Sequence, residues 1–501
     1  MQLSPLDVGV VVAYIFLIFL IAVKANQFMR RHFLAKKKEG QRAMENHYLA
    51  GRSLTFAEGL FSIIATEFSA MAFLILPSYV YFENLSYLRF VIGACVSRWV
   101  ISYFFIIKYY GKGLTIFEIL ARGIHHYKNI RKEGHNGKRT FAVFYIFTKI
   151  VGVSVKLLGG AILISQFFGT PLFGSLVLIA LMTYVYIILG GLKAVVRTDM
   201  LQAGIFIVGG VMAHYALGKM SSHTWGELMA FGYEQGKFSL WNKDIGPLSF
   251  LYGIIGGIAY DAATHGVDQD LIQKFLGAKD IRTARRVLGW SALGSLLVNI
   301  LFLTLGVVIW SFYTKHGKPI PKSEEIFSFL IQNHFPTGLK GLMVASILAA
   351  CMSSLDSSIN AMSAIFWNDL MGSEKSKLFR VYINLDNLII TGSIVISAYL
   401  ISQVPGAMKF GIYFAYLSTA PLLSFFLCRL VLSRYMNISY SASLIVLSVF
   451  TCFLGMALNH FRFGFNPQLT ILVGIVTTVL FMWLYSVITN FSNTPRENLY
   501  E

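Results

Sequence analysis

Apolar blocks of about 20 residues recur from one end of this chain to the other, and that pattern admits few folds. A block of that length crosses a bilayer as a helix, and a helix satisfies its own backbone polar groups in lipid. The blocks fall at 8–23, 58–82, 87–107, 141–165, 171–190, 199–217, 249–272, 287–313, 338–366, 381–402, 407–432, 439–458 and 466–490. They predict an all-α polytopic membrane protein of about 13 transmembrane helices, numbered here as spans 0 to 12. Only 13% of the 501 residues are charged, against roughly 25% in soluble domains. That is too little charge to coat a soluble protein of this size. Mean hydropathy is +0.63, which excludes a disordered chain. Span 0 has neither a basic segment before it nor a small-residue cleavage site after it, so it reads as a retained span rather than a signal peptide.

The formal net charge of +18 points to topology rather than to nucleic acid. Of the 42 Lys and Arg residues, 29 fall in alternate loops on one side and ten on the other, while Arg98, Lys149 and Lys156 lie inside spans. Basic loops stay in the cytoplasm. The chain is therefore expected in the plasma (bacterial inner) membrane with its N-terminus outside and its C-terminus cytoplasmic. Contact with anionic lipid is a by-product of that charge. The connections suggest no second, soluble domain, and no obligatory protein partner is evident. Cys95, Cys351, Cys428 and Cys452 have no paired spacing and read as apolar packing rather than as disulfides or a zinc site. Residues 113–127 read as an amphipathic helix on the cytoplasmic face, and the terminal ENLYE as a short polar tail.

Ten ionisable groups interrupt the apolar spans: Glu67, Arg98, Lys149, Lys156, Asp199, Asp261, His265, Asp268, Asp270 and Asp356. Such groups are expensive in a bilayer and usually face a cavity or a partner, so together they predict a polar pathway. Span 1 is broken at its centre by Thr66, Glu67 and Ser69. Span 6 is interrupted by Gly256, Gly257, Asp261, Thr264, His265 and Gly266. Two broken spans five positions apart are the mark of inverted-repeat transporters, in which freed backbone carbonyls coordinate ions. Span 8 sets Ser353, Ser354, Ser357 and Ser358 around Asp356. Hydroxyls and carbonyls are hard oxygen donors that suit sodium better than a transition metal; small residues that let helices approach closely are the alternative reading.

Four segments resemble the sodium:solute symporter family, which includes sodium/glucose, proline and sialic acid transporters. They are YLAGRSL at 48–54, GGLKAVVRTDMLQAGIFIVGG at 190–210, GVDQDLIQKFLGAKD at 266–280 and MSSLDSSINAMSAI at 352–365. The resemblance implies a five-plus-five inverted-repeat, leucine-transporter-like core with one extra N-terminal span and two extra C-terminal spans. Residues 1–57 would then be the N-terminal span and loop, 58–217 and 218–432 the two repeats, and 433–501 the C-terminal spans and tail. It also implies a sodium site made by the carbonyls of Ala65, Phe68 and Ala350 and the hydroxyls of Ser353 and Ser354. In some relatives the acid at the position of Asp199 helps hold a second sodium, here with Asp356 and Ser357. Asp356 stands where those relatives use a hydroxyl. The substrate-binding candidates are Glu67, Ser69, Lys156, Asp261, Thr264 and His265.

The resulting expectation is not an enzyme but a Na⁺-coupled symporter. It would import a small polar organic solute, sugar-like or carboxylate-bearing, by alternating access. Glu67 and the Asp261–His265 pair replace the amides and aromatics that bind sugar in galactose-type relatives. Lys156 or Lys149 could receive a carboxylate, as a basic residue of span 3 does in sialic acid relatives. Pairing of Glu67 with Lys156, or of Arg98 with an acid, inside the bundle is the structural alternative. A membrane solute sensor, a proton-coupled symporter and an intramembrane hydrolase using Asp199 and Asp356 are the alternative functions.

Overall fold

The computed structural model describes residues 3–29, 41–122, 131–241, 248–316, 326–372, 376–404, 407–428, 432, 442–463 and 467–492. The polar tail at 497–501 lies outside them. Among the described residues no strand occurs; a lone parallel bridge joins Leu54 and Ala278. The chain opens with α1 (Pro5–Met29), α2 (Gln41–Tyr48), α3 (Phe56–Glu67), α4 (Ala70–Phe82), α5 (Leu88–Val100) and α6 (Ile106–Tyr109). It continues through α7 (Ile116–Arg122), α8 (Arg131–Phe168), α9 (Leu172–Met220), α10 (Trp225–Glu234), α11 (Leu248–Val267), α12 (Gln269–Leu276) and α13 (Ile281–Lys315). It closes with α14 (Ile326–Asn333), α15 (Leu339–Ile365), α16 (Ser376–Ser402), α17 (Ala407–Phe426), α18 (Ala442–Phe463) and α19 (Pro467–Ser492).

Eight of the described stretches are long and apolar enough to cross a membrane, or nine if the bent pair α3–α4 is one span. One departure from the 13-block pattern is α9, which carries two predicted blocks on 49 continuous residues. A helix of that length would run about 74 Å, more than twice the roughly 30 Å of a hydrocarbon core. It is kinked at Gly191, whose φ of 54° and ψ of −148° are not helical. That positive φ favours glycine.

Local chemistry sets several helix starts. Thr55 and Glu58 form a reciprocal capping box at α3: Glu58 N donates to Thr55 Oγ1 and Thr55 N donates to Glu58 Oε2. This satisfies two donors that would otherwise be orphaned. Asp280 caps α13 by accepting from Thr283 N at 2.7 Å. Its carboxyl is held below its usual range by that backbone donor first.

Helix α15 is the hub. It packs against α1, α3, α4, α8, α9, α12 and α16, and 94% of its apolar window is buried. The outer helices instead present large apolar side chains: Phe16 on α1 is 63% exposed and Leu458 on α18 is 60% exposed. Apolar surface on this scale needs lipid or a partner to cover it.

Two sequence expectations change. Span 6 is not broken at its glycines. Helix α11 runs unbroken to Val267, and the interruption falls at Asp268, which is extended (φ −78°, ψ 121°) and caps α12. Gly257 serves packing instead. A Cβ on Gly257 would lie 2.0 Å from Phe90 O, and one on Gly93 2.1 Å from Ile254 O, so α5 and α11 touch backbone to backbone. We expect Gly257→Ala to force these helices apart and lower the melting temperature, a cost of about 1–3 kcal/mol. Gly392→Ala, where a Cβ meets nothing within 4 Å, should be neutral. Equal thermal shifts for the two variants would refute the close-contact account.

The second change concerns 113–127. Only α7 of that segment is helical among the described residues, and 123–127 lie outside them. Leu114 to Leu120 are all buried rather than half-exposed. Glu118 is turned inward because Leu114 N donates to it at 2.8 Å and Asn368 Nδ2 at 3.3 Å.

Candidate cation and solute site

The break in span 1 is two residues long. Phe68 (φ −86°, ψ 104°) and Ser69 (φ −86°, ψ 165°) are extended, and α3 and α4 meet at 58°. Ser69 Oγ accepts from Ala72 N at 3.3 Å and so caps α4. The last carbonyls of α3 therefore lack the helical partners an unbroken span would give them.

Span 8 meets those carbonyls. Ser353 Oγ donates to Ala65 O at 2.8 Å and lies 3.3 Å from Ala350 O. Ser354 Oγ donates to Thr66 O at 3.2 Å. Thr66 Oγ1 in turn shares a hydrogen bond with Ser357 Oγ at 2.9 Å. Ala65, Ala350, Ser353 and Ser354 are thus gathered into one buried, oxygen-only cluster. Phe68 sits at the break with its ring 5.9 Å from that of Phe206. Carbonyl and hydroxyl oxygens at a helix break suit a hard monovalent cation. No group of three or more His, Cys, Asp or Glu side chains that could hold a metal ion occurs among the described residues.

Beside this cluster lies a position that sequence reasoning missed. Lys274, assigned by pattern to a cytoplasmic loop, is fully buried on α12. Its Nζ stands 2.8 Å from Asp199 Oδ2, donates to Ser62 O at 3.0 Å and also bonds Thr66 Oγ1. Ser62 Oγ donates to the same Asp199 oxygen. Asp356 is fixed separately: Tyr186 Oη donates to Oδ2 at 2.5 Å and Ser357 Oγ to Oδ1 at 3.0 Å.

Three of the predicted solute residues, Glu67, Asp261 and His265, form a second network, knotted around Arg98 of α5. Its guanidinium clasps Glu67 through both terminal nitrogens at 3.0 Å. It also reaches Asp261 Oδ1 from Nη2 at 2.7 Å and from Nε at 3.1 Å. Ser295 on α13 bonds Glu67 as well. His265 Nδ1 is 2.8 Å from Asp261 Oδ1, one helical turn away. The other atoms of this pair, Asp261 Oδ2 and His265 Nε2, are buried without a partner. Thr264 Oγ1 turns back onto Tyr260 O at 3.1 Å. The internal pairing foreseen for Arg98 is therefore what four helices share here.

The two lysines of α8 that lie within span 3, Lys149 and Lys156, differ. Lys149 is neutralised by Asp268 at 2.6 Å and Asp270 at 2.8 Å, and Tyr145 and Ser358 complete that cluster. Lys156, two turns further on, is half-buried and makes no hydrogen bond or ion pair among the described residues. It feels the Lys149 cluster only at longer range.

The motif segments read from the sequence converge in space. Lys193 binds Glu58 at 2.9 Å, and Arg197 binds it at 3.2 Å. Leu54 N donates to Gly277 O, and Ser358 donates to Asp270. The sequence profile described as the sodium:solute symporter family matches residues 47–437, a range that includes all of these contacts. The chain belongs to that family.

Among its relatives is the "Sodium-coupled monocarboxylate transporter 1" of Mus musculus, 27% identical over 352 residues, covering 66% of this chain and 54% of that protein. Another is the "Sodium/glucose cotransporter" of Vibrio parahaemolyticus, 28% identical over 361 residues, covering 67% and 64% respectively. The chain thus spans just over half the length of the monocarboxylate transporter relatives it matches. In fold it is similar to a Na⁺-coupled sialic acid symporter in a substrate-bound outward-open state, with a TM-score of 0.81, 17% identity and coverage of 97% of this chain and 98% of that one. It is more distantly similar to the nucleobase-cation-symport-1 family transporter Mhp1, with a TM-score of 0.52 and 14% identity over 88% of this chain and 93% of that one. Sodium:solute symporters are membrane transporters rather than enzymes, so the hydrolase reading is set aside. Asp199 and Asp356 also bind different partners, Lys274 and Tyr186.

Proposed function

We propose that this chain is a sodium-coupled symporter that imports a small carboxylate-bearing solute by alternating access. The observation that carries the reading is the junction of Ser353 and Ser354 with the carbonyls of Ala65 and Thr66 at the break between α3 and α4. Sodium there would draw on Ala65, Phe68, Ala350, Ser353 and Ser354, tying span 1 to span 8 and favouring the outward-facing state. Solute then completes the cavity, and the bundle rocks to release both inside. One charge moving through 100 mV supplies about 2.3 kcal/mol before any concentration gradient. The architecture in this reading is 13 spans around a five-plus-five inverted repeat, in a plasma membrane, with the N-terminus outside.

The carboxylate assignment rests on Lys156. Of the two lysines within predicted span 3 it is the one whose donors are uncommitted, and the relatives named for monocarboxylates support the same class. A thermal-shift screen of lactate, pyruvate and neutral sugars, with sodium or choline as the cation, tests both parts of the reading. A carboxylate that stabilises the protein only in sodium is the expected result. Stabilisation by sugars alone would remove the carboxylate assignment.

A second expected result concerns the ion. Ser354→Ala removes one hydroxyl oxygen, a loss of about 1.4 kcal/mol, and should weaken apparent sodium affinity roughly tenfold. Sodium titrations of the melting temperature read this directly, and an unchanged midpoint would refute the assigned site. Proton coupling is kept as a second reading because Asp261 Oδ2 and His265 Nε2 are buried without partners. Uptake at fixed pH with sodium replaced by choline separates the two.

A further inference from the structure

We propose that the Lys274 ammonium is a tethered cation that fills the cation position beside Asp199, so that the chain binds a single sodium ion, at the α3–α15 junction. The surroundings of Nζ are those of an ion site. Its three N–H donors meet three oxygens and no nitrogen: Asp199 Oδ2, Ser62 O and Thr66 Oγ1. A carboxylate, a carbonyl and a hydroxyl are the hard donors an alkali cation takes. Lys274 and Asp199 both have 0% side-chain exposure, so the charge of Asp199 must be met inside the protein. Asp199 Oδ1 is buried and unpartnered, which leaves a carboxylate oxygen available to an ion should the ammonium leave.

The position is joined to the sodium junction. Thr66, which bonds Lys274, offers its carbonyl to Ser354 and its hydroxyl to Ser357. The tethered charge thus does permanently, from α12, what a second ion would do only when bound. It holds the inner half of span 1 against α9 and α15. A cation fixed to the chain carries no net charge across the membrane in a cycle, so one sodium ion accompanies each solute.

The inference rests on the sodium-symport reading, and equilibrium binding of radioactive sodium to the purified full-length chain separates the two. The wild type is expected to saturate at one ion per chain. Lys274→Ser vacates the oxygen cage and is expected to saturate at two. The neutralised pair Asp199→Asn/Lys274→Met removes both charges and is expected to bind one, with affinity close to wild type. Two ions on the wild type, or one on a folded Lys274→Ser chain, would overturn the proposal. Loss of the ion in the double variant would overturn it too, because Lys274 would then be acting on the α3–α15 site itself. The double variant decides the matter should Lys274→Ser fail to fold. No sodium on the wild type would overturn the symport reading and this inference with it, a result distinct from the others.

Discussion

Arg98→Met will cost more stability than any other single change in the bundle. Arg98 and Asp261 are each 1% exposed, and Glu67 is 23% exposed. One guanidinium serves both carboxylates, and Ser295 depends on the same arrangement. Removing one partner of a buried ion pair costs about 3–5 kcal/mol because the charge left behind stays buried. Here two carboxylates on different helices lose their guanidinium at once, beside the break in span 1. The expected result is failure to accumulate folded protein, or a melting temperature far below wild type by fluorescence-detected size exclusion. Arg98→Lys keeps the charge but cannot reproduce the planar fork that grips both acids, so it should fall between. The neutral triple variant Arg98→Met/Glu67→Gln/Asp261→Asn should recover much of the lost stability. A single Arg98→Met variant that melts with the wild type would show that the network is not holding α3, α5, α11 and α13 together.

Lys156→Met will have the largest effect on solute. A charge-assisted contact between an ammonium and a carboxylate out of bulk water is strong, and losing it should cost about 3 kcal/mol, roughly a hundredfold in affinity. Sodium-dependent stabilisation without solute should be unchanged, because Lys156 bonds none of the α3–α15 oxygens. Lys149→Met should behave in the opposite way, harming folding by stranding Asp268 and Asp270 while leaving no solute-specific signature. Thermal-shift titrations of each variant with sodium alone and then with lactate distinguish them. Unaltered carboxylate affinity in Lys156→Met would remove this lysine from the solute site.

The parts of this molecule legible in its sequence were those where composition opposes environment. A glutamate and two hydroxyls inside an apolar run mark the break at Phe68 and Ser69, because a bilayer span does not otherwise carry them. The serines of span 8 were legible for the same reason, and they meet Ala65 and Thr66. Lys274 was not legible. It follows a predicted span end, where a lysine ordinarily reaches cytoplasm, and its burial depends on α12 folding inward against α3 and α15. The break in span 6 was misplaced by its glycines, since glycine marks helix interruption and close helix packing equally. Only the neighbouring backbone of α5 distinguishes them. The burial of α7 has a similar origin, because one partner of Glu118, Asn368, lies far away in sequence.

The kink of α9 at one residue has a mechanical consequence. The two arms have no loop between them, so they share a single pivot with two torsions and no slack. Gly191 is itself pressed onto the adjoining chain; a Cβ there would sit 2.7 Å from His47 O. Lys193, Arg197 and Asp199 follow within about two helical turns, and they hold Glu58 and Lys274. A tilt of the arm before the pivot would therefore reach α3, the first half of span 1, through these ion pairs. The protein has a crank there rather than a flexible joint.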